Sequence, residues 1–292
     1  MKEIIVAEHA GFCFGVSKAV ETAYDELERA RADGKKLFCL GHIIHNKIVV
    51  DELEAKGLIT IKDISEAEPG QRVLIRAHGE PDSTYERAGE IGVEIIDATC
   101  PFVARIHKIA REESAKGRHL VVIGDEEHPE VRGIMGSSRL VAGAAVGSEQ
   151  GYALASDYAD TPLSVVAQTT ITREAFETTV AGISRAHKDI KVFDTICNAT
   201  RERQEAAAKL ASECDAMVVI GDRESSNSKK LLQICKKACN YVKFVEKSDE
   251  ISLKDLDKYN KIGVAASASA PAREIKEVIT HMSELFTNQE NN

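Results

Sequence analysis

The 292-residue sequence has no tryptophan, and aromatic residues make up only 5% of it. Platforms that stack successive bases need aromatic rings, so single-stranded nucleic acid is poorly served here. Positive charge is also short, with 38 Lys and Arg against 47 Asp and Glu and a net charge of −9. No basic stripe marks a nucleic-acid footprint, and no nucleic-acid partner is expected. No run approaches the roughly 18 consecutive apolar residues of a membrane span, so no membrane partner is expected either. Met1-Lys2-Glu3-Ile4-Ile5-Val6 enters a strand-like run at once, which argues against a signal or transit peptide and for a cytoplasmic protein. Seven cysteines in such a chain do not form a disulfide framework. In a reducing compartment they are buried apolar residues, metal ligands or catalytic thiols.

What is present is ordinary for a soluble globular chain: 43% hydrophobic and 29% charged residues, enough for two or three domains. Short apolar runs recur at Ile4-Ile5-Val6, Leu37 to Leu40, Val73 to Ile75, Val93 to Ile96, Leu120 to Ile123, Ser164 to Val166, Met217 to Ile220 and Ile262 to Val264. Such continuous runs suit parallel strands covered on both faces. Between them apolar residues fall at helical spacing, as in Val16, Ala19, Val20, Ala23, Leu27 and Ala30, in Val103, Ile106 and Ala110, and in Ala206, Ala207, Leu210 and Ala211. Alternation of this kind predicts an α/β fold with mainly parallel sheets.

The chain repeats itself. Leu120-Val121-Val122-Ile123-Gly124-Asp125 matches Met217-Val218-Val219-Ile220-Gly221-Asp222, and Asp97-Ala98-Thr99-Cys100 resembles Asp194-Thr195-Ile196-Cys197, both at an offset of 97. The N-terminal third echoes the pattern more loosely, with Cys13 lying 28 residues before Gly41. Three similar copies of one unit follow. Four residues after the three glycines stand His45, His128 and Ser225, and six after them Lys47, Glu130 and Asn227. A later strand of each copy is followed by His78, Thr169 or Ser269. Ligands of open α/β sheets bind beyond the carboxyl ends of strands, so each copy aims polar groups at such an end. If the copies face a common axis, these groups converge.

Cys13, Cys100 and Cys197 each sit where an extended segment gives way to a helix. Pro101 after Cys100 suits a first helical turn. Free N–H groups and the macrodipole there favour the thiolate, the form that ligates metal or attacks an electrophile. Three converging thiolates fit an iron–sulfur cubane with one iron open, or a zinc site completed by water. Cys39, Cys214, Cys235 and Cys239 read as structural. Ser225-Ser226-Asn227-Ser228 follows a strand and its glycine and opens a helix. These residues cap it, and the same geometry offers donors to a phosphate. With His45, His78 and Ser269 it could hold a doubly phosphorylated group. Glu130 is the carboxylate at the repeat-equivalent positions, a candidate proton donor, with Thr169 placed to orient a hydroxyl.

The motifs Gly11-Phe12-Cys13-Phe14-Gly15-Val16, Ile44-His45-Asn46, Ala77-His78-Gly79, Asp97-Ala98-Thr99-Cys100-Pro101, His128-Pro129-Glu130-Val131, Gln168-Thr169-Thr170, Ile196-Cys197-Asn198-Ala199-Thr200, Ser225-Ser226-Asn227-Ser228 and Ala268-Ser269-Ala270-Pro271 run in order over nearly the whole chain. In this it resembles the 4-hydroxy-3-methylbut-2-enyl diphosphate reductase (LytB/IspH) family. The resemblance implies three α/β domains around a pseudo-threefold axis, which we place at residues 14–99, 100–196 and 197–285, the last completed by 1–13. It implies one [4Fe–4S] cluster per chain on Cys13, Cys100 and Cys197, with one iron open. The implied reaction is two-electron removal of the substrate's 4-hydroxyl, giving isopentenyl and dimethylallyl diphosphates. By the same match His45, His78, Ser225, Ser226, Asn227 and Ser269 hold the diphosphate of this small allylic substrate. His128, Glu130 and Thr169 serve its hydroxyl, with Glu130 the proton source. A ferredoxin or flavodoxin would supply electrons. Phe14 and Ser267 stand where many members have alanine and glycine, and both are expected to bulk the pocket edge. Asn198 stands where others have tyrosine, and no ribosomal S1-like extension is expected after the last motif.

Overall fold

The strongest apolar runs become central strands of three parallel four-stranded sheets. The structure, a computed structural model, describes residues 2–290. The chain opens with β1 (Glu3–Val6) and α1 (Phe14–Ala32), the helix beginning two residues earlier than the apolar spacing from Val16 suggests. It then forms β2 (Leu37–Leu40), α2 (Lys47–Ala55), β3 (Leu58–Ile61), β4 (Arg72–Ile75), α3 (Asp82–Ile91) and β5 (Glu94–Asp97). After α4 (Pro101–Ala115) come β6 (His119–Ile123), α5 (Pro129–Met135), β7 (Val141–Ala145), α6 (Ser148–Ser156), β8 (Leu163–Ala167), α7 (Arg173–Ala186) and β9 (Ile190–Val192). After α8 (Asn198–Glu213) come β10 (Ala216–Ile220), α9 (Ser226–Ala238), β11 (Val242–Val245), α10 (Leu253–Leu256), β12 (Lys261–Ala266) and α11 (Ala272–Glu290).

All three sheets share one strand order: β3-β2-β4-β5, β7-β6-β8-β9 and β11-β10-β12-β1. The strand leading to a cysteine (β5, β9 or β1) is at one edge. Next to it lies the strand followed by Arg76, Gln168 or Ser267, then the strand followed by Gly41, Gly124 or Gly221. A short strand closes the other edge.

The described residues pack as two compact units. One takes those of 1–14, 45–47 and 198–292, and the other those of 15–44 and 48–197. In the first, β10 is buried throughout because its side chains alternate between two cores. Ala216, Val218 and Ile220 pack with Val278, Met282 and Phe286 of α11, while Met217 and Val219 pack with Leu210 of α8 and Leu231 of α9. Each buried aliphatic side chain contributes about 1.5–3 kcal/mol. The second unit holds the other two sheets, and β8 is likewise buried along its length.

Local devices repeat along with the strands. Asp97 Oδ1 accepts from the Thr99 amide at 2.9 Å and Asp194 Oδ1 from Ile196 at 3.3 Å, the turns that deliver Cys100 and Cys197. Asp125 does the same for Glu127 at 3.1 Å and Asp222 for Glu224 at 2.7 Å. The aspartates of both sequence repeats therefore shape loops at the carboxyl ends of strands. Among the described residues no helix is long and apolar enough to cross a membrane.

Candidate active site

Three cysteine amides make the same hydrogen bond. Cys13 donates to the Ala268 carbonyl at 3.4 Å, Cys100 to Ala77 at 3.0 Å and Cys197 to Thr169 at 3.1 Å. Each acceptor lies just beyond the strand next to the cysteine's own, and each is, or directly precedes, a polar residue expected at the site: Ser269, His78 and Thr169. Each cysteine also stands immediately before a helix, α1, α4 or α8, and is only half-buried. A helix start presents free backbone N–H groups and the positive end of the macrodipole. The other four thiols differ. Burial pushes Cys39 and Cys235 up to about 12 and raises Cys214. The Cys239 thiol donates to the carbonyls of Cys214 and Tyr241 at 3.6 and 3.4 Å. Cys39, Cys235 and Cys239 are buried, and Cys214 packs against the core that holds the last two.

In the unit holding Cys13, the loops after β10 and β12 carry the serines. Ser225 caps α9, its Oγ accepting from the Ser228 amide at 3.3 Å. Ser226 and Asn227 form the first turn, and Asn227 Nδ2 donates to Ser267 Oγ at 3.1 Å. Ser267 Oγ is in turn 3.4 Å from Ser269 Oγ. Asn227, Ser267 and Ser269 are thus one buried polar string. The segment carrying His45 belongs to this unit through its neighbour: Asn46 Nδ2 donates to the Ser269 carbonyl at 3.0 Å and to the Glu274 carboxylate at 3.0 and 3.2 Å. Hydroxyls, an amide and the start of α9 suit a phosphate.

In the other unit, β6 and β8 bring Glu130 and Thr169 together. Glu130 Oε1 accepts from the Thr169 amide at 2.6 Å and Oε2 from its hydroxyl at 2.7 Å. The carboxylate is 2% exposed, so a proton moved there is shielded from bulk water. His128 caps α5, its Nδ1 accepting from the Glu130 amide at 3.1 Å. In a neutral ring that bond places the proton on Nε2, which can then donate. The His78 ring meets His128 edge-on at a centroid distance of 5.4 Å. Since Cys197 is bonded to Thr169 and Cys100 to Ala77, two thiols are tied to the same loops as these groups.

A profile of the LytB protein family matches residues 4–283. The chain belongs to the LytB family. A relative from Alkaliphilus oremlandii (strain OhILAs), named 4-hydroxy-3-methylbut-2-enyl diphosphate reductase, is 40% identical over 284 residues, 97% of this chain and 100% of the relative. A solved (E)-4-hydroxy-3-methyl-but-2-enyl diphosphate reductase, titled the terminal enzyme of the non-mevalonate pathway, is similar at 36% identity and a TM-score of 0.70, covering 97% of this chain and 100% of that one. The E-1-hydroxy-2-methyl-but-2-enyl-4-diphosphate reductase structure from Plasmodium falciparum is similar at 26% identity and a TM-score of 0.86, covering 96% of this chain and 87% of that one.

Within this LytB chain several contributors escape sequence reasoning. Ser267, expected only to add bulk, is fully buried and links Asn227 to Ser269. Phe14, expected to edge a pocket, is 67% exposed at the first position of α1. Arg203 of α8, 4% exposed, donates to the Gly11 carbonyl at 2.7 Å and so holds the loop that presents Cys13. His107 of α4 lies against the loop carrying His78. A Cβ on Gly79 (φ +71°) would come within 2.9 Å of its ring. Burial pushes His107 down to about 4, so it packs as a neutral ring, with Nδ1 2.8 Å from Ser137 Oγ. The bonded pairs His107–Ser137 and Arg203–Gly11 lie 30 and 192 residues apart, beyond any local motif.

Proposed function

We propose that this chain reduces (E)-4-hydroxy-3-methylbut-2-enyl diphosphate to isopentenyl and dimethylallyl diphosphates, the last step of the methylerythritol phosphate route. The allylic C–O bond breaks, two electrons and two protons are taken up, and the oxygen leaves as water. One observation carries the reading: three cysteines share a helix-start position and a backbone hydrogen bond in a chain whose full-length relatives bear the reductase name.

Cys13, Cys100 and Cys197 take the role of thiolate ligands of one [4Fe–4S] cluster. The donor set fits, being half-buried sulfurs at helix starts, and Gly15 keeps the space beside Cys100 Sγ open, where a Cβ would lie 2.6 Å away. When bound, the cluster supplies electrons and an open Lewis-acidic iron. His45, His78, Ser225, Ser226, Asn227 and Ser269 hold the diphosphate. His128 donates from Nε2, and Thr169 orients the hydroxyl while Glu130, bonded to it, delivers a proton. The enzyme works in the cytoplasm with a ferredoxin or flavodoxin as electron donor.

Anaerobic purification, iron and acid-labile sulfide analysis and turnover with reduced viologen test the proposal. A colourless zinc protein would point to a hydrolase, and a coloured protein without turnover to a redox sensor.

Two substitutions probe the supporting geometry. Alanine favours helix over glycine by about 1 kcal/mol, so Gly15→Ala should fold well. Its methyl group displaces the Cys100 sulfur, and iron per chain after reconstitution should fall clearly below wild type at an undiminished Tm. Ser267→Gly removes the hydroxyl that links Asn227 and Ser269. Loss of one such bond, about 0.5–1.5 kcal/mol, should raise KM roughly two- to tenfold with kcat little changed. A fall in kcat at constant KM would remove Ser267 from binding.

A further inference from the structure

Of the phenylalanines among the described residues, only Phe14 and Phe102 are exposed, at 67% and 43%. Phe14 directly follows Cys13, and Phe102 follows Cys100 by two positions. Exposed cations come next on the same helices: Lys18 four residues after Phe14, and Arg105 and Lys108 three and six after Phe102. Spacings of three and four keep ring and charge on neighbouring parts of one helix face. Gly15 of α1 lies against the Cys100 sulfur, so within one unit the starts of α1 and α4 meet.

These helix starts carry no carboxylate. The first turns of α1 and α4 have none, and the first acids along them are Glu21 and Glu112, the latter 3.7 Å from Lys108 Nζ and leaving Arg105 as the cation nearest the ring. Helix N-termini ordinarily favour acids, and the chain as a whole carries a net charge of −9. Cations alone could be counter-charges for the thiolates. Exposed aromatic rings neutralise nothing, and rings beside arginine are the composition of a protein contact.

We propose that the exposed face of α4 next to Cys100, carrying Phe102, Arg105 and Lys108, docks an acidic one-electron carrier protein. The inference rests on the reductase reading and adds where the carrier binds. Two electrons per turnover require two deliveries by a one-electron carrier, and brief steered encounters suit that demand. An acidic carrier is repelled by most of an acidic protein, so a local basic face decides where it lands.

The test uses the reconstituted enzyme with purified ferredoxin and flavodoxin. The variants are the double substitution Arg105→Glu/Lys108→Glu and, separately, Phe102→Ala. Direct binding to immobilised enzyme is measured at low and high salt, and turnover is measured with each carrier and with reduced viologen. Carrier Kd should rise about tenfold or more in the double variant, and most of its salt dependence should vanish. Phe102→Ala should weaken binding severalfold without altering the salt dependence, and viologen turnover should stay at the wild-type rate in both. Carrier binding that is unchanged in both variants, or that is undetectable with wild type, overturns the docking face. Absence of viologen turnover in wild type overturns the reductase reading instead, leaving the binding measurement to judge the face.

Discussion

Cys197→Ser should abolish the cluster's visible absorption and with it turnover, while leaving the fold in place. The serine keeps the backbone that donates to Thr169 at 3.1 Å, and it stands before α8 with half-exposed surroundings, so its hydroxyl costs little there. What it loses is the thiolate: a serine hydroxyl remains protonated where a cysteine at a helix start ionises, and iron–sulfur clusters depend on that anion. Cys235→Ser is the matched control. Cys235 is fully buried among Leu210, Leu231 and Met217, and burial already holds its thiol at about 12. A hydroxyl there should cost about 1–3 kcal/mol of stability yet leave the absorption intact. The pair is read from visible spectra, iron content and Tm. Full absorption and turnover in the Cys197 variant would remove it as a ligand.

The shared placement of Cys13, Cys100 and Cys197 before helices was legible in the sequence because it follows from repetition. Cys100 and Cys197 share an offset with a strand and its glycine, and the turns at Asp97 and Asp194 show that the offset reflects one local structure made twice. Central strands such as β10 were legible for a related reason, since burial on both faces leaves every residue apolar. The edge strands β3, β7, β9 and β11 escaped notice. Val141-Ala142-Gly143-Ala144-Ala145 and Ile190-Lys191-Val192 are only partly covered, so neither continuity nor alternation marks them. At the site, residues on repeat-equivalent positions could be picked out. Their supports could not: the bonds from Arg203 to Gly11 and from Asn46 to Glu274 join residues 192 and 228 apart. The resemblance flagged Ser267 as a departure and suggested steric bulk; the bonds its hydroxyl makes with Asn227 and Ser269 could not be read from the sequence.

Glu130→Gln tests the proton-handling role proposed for the Glu130–Thr169 pair. The amide is nearly isosteric with the carboxylate, so His128 can still accept from the residue 130 amide and cap α5, and the fold should persist. The Thr169 amide can only donate, so the single acceptor oxygen of a glutamine must face it, because an unpaired backbone N–H costs about 1–3 kcal/mol. The glutamine Nε2 then faces the Thr169 hydroxyl, which turns from donor to acceptor in that contact. Neither group can supply a proton as a carboxylic acid does. Viologen-driven reduction should therefore slow by roughly 10²-fold or more, the scale of a positioned general acid. The diphosphate contacts assigned to His45, His78 and the serines are untouched, so KM should change little. Thr169→Val separates positioning from proton supply. It deletes the hydroxyl but keeps the amide bond to Glu130, so it should lower kcat by less than Glu130→Gln. An equal loss in both variants would place the essential proton on the threonine path, and unchanged turnover in Glu130→Gln would assign the donor elsewhere.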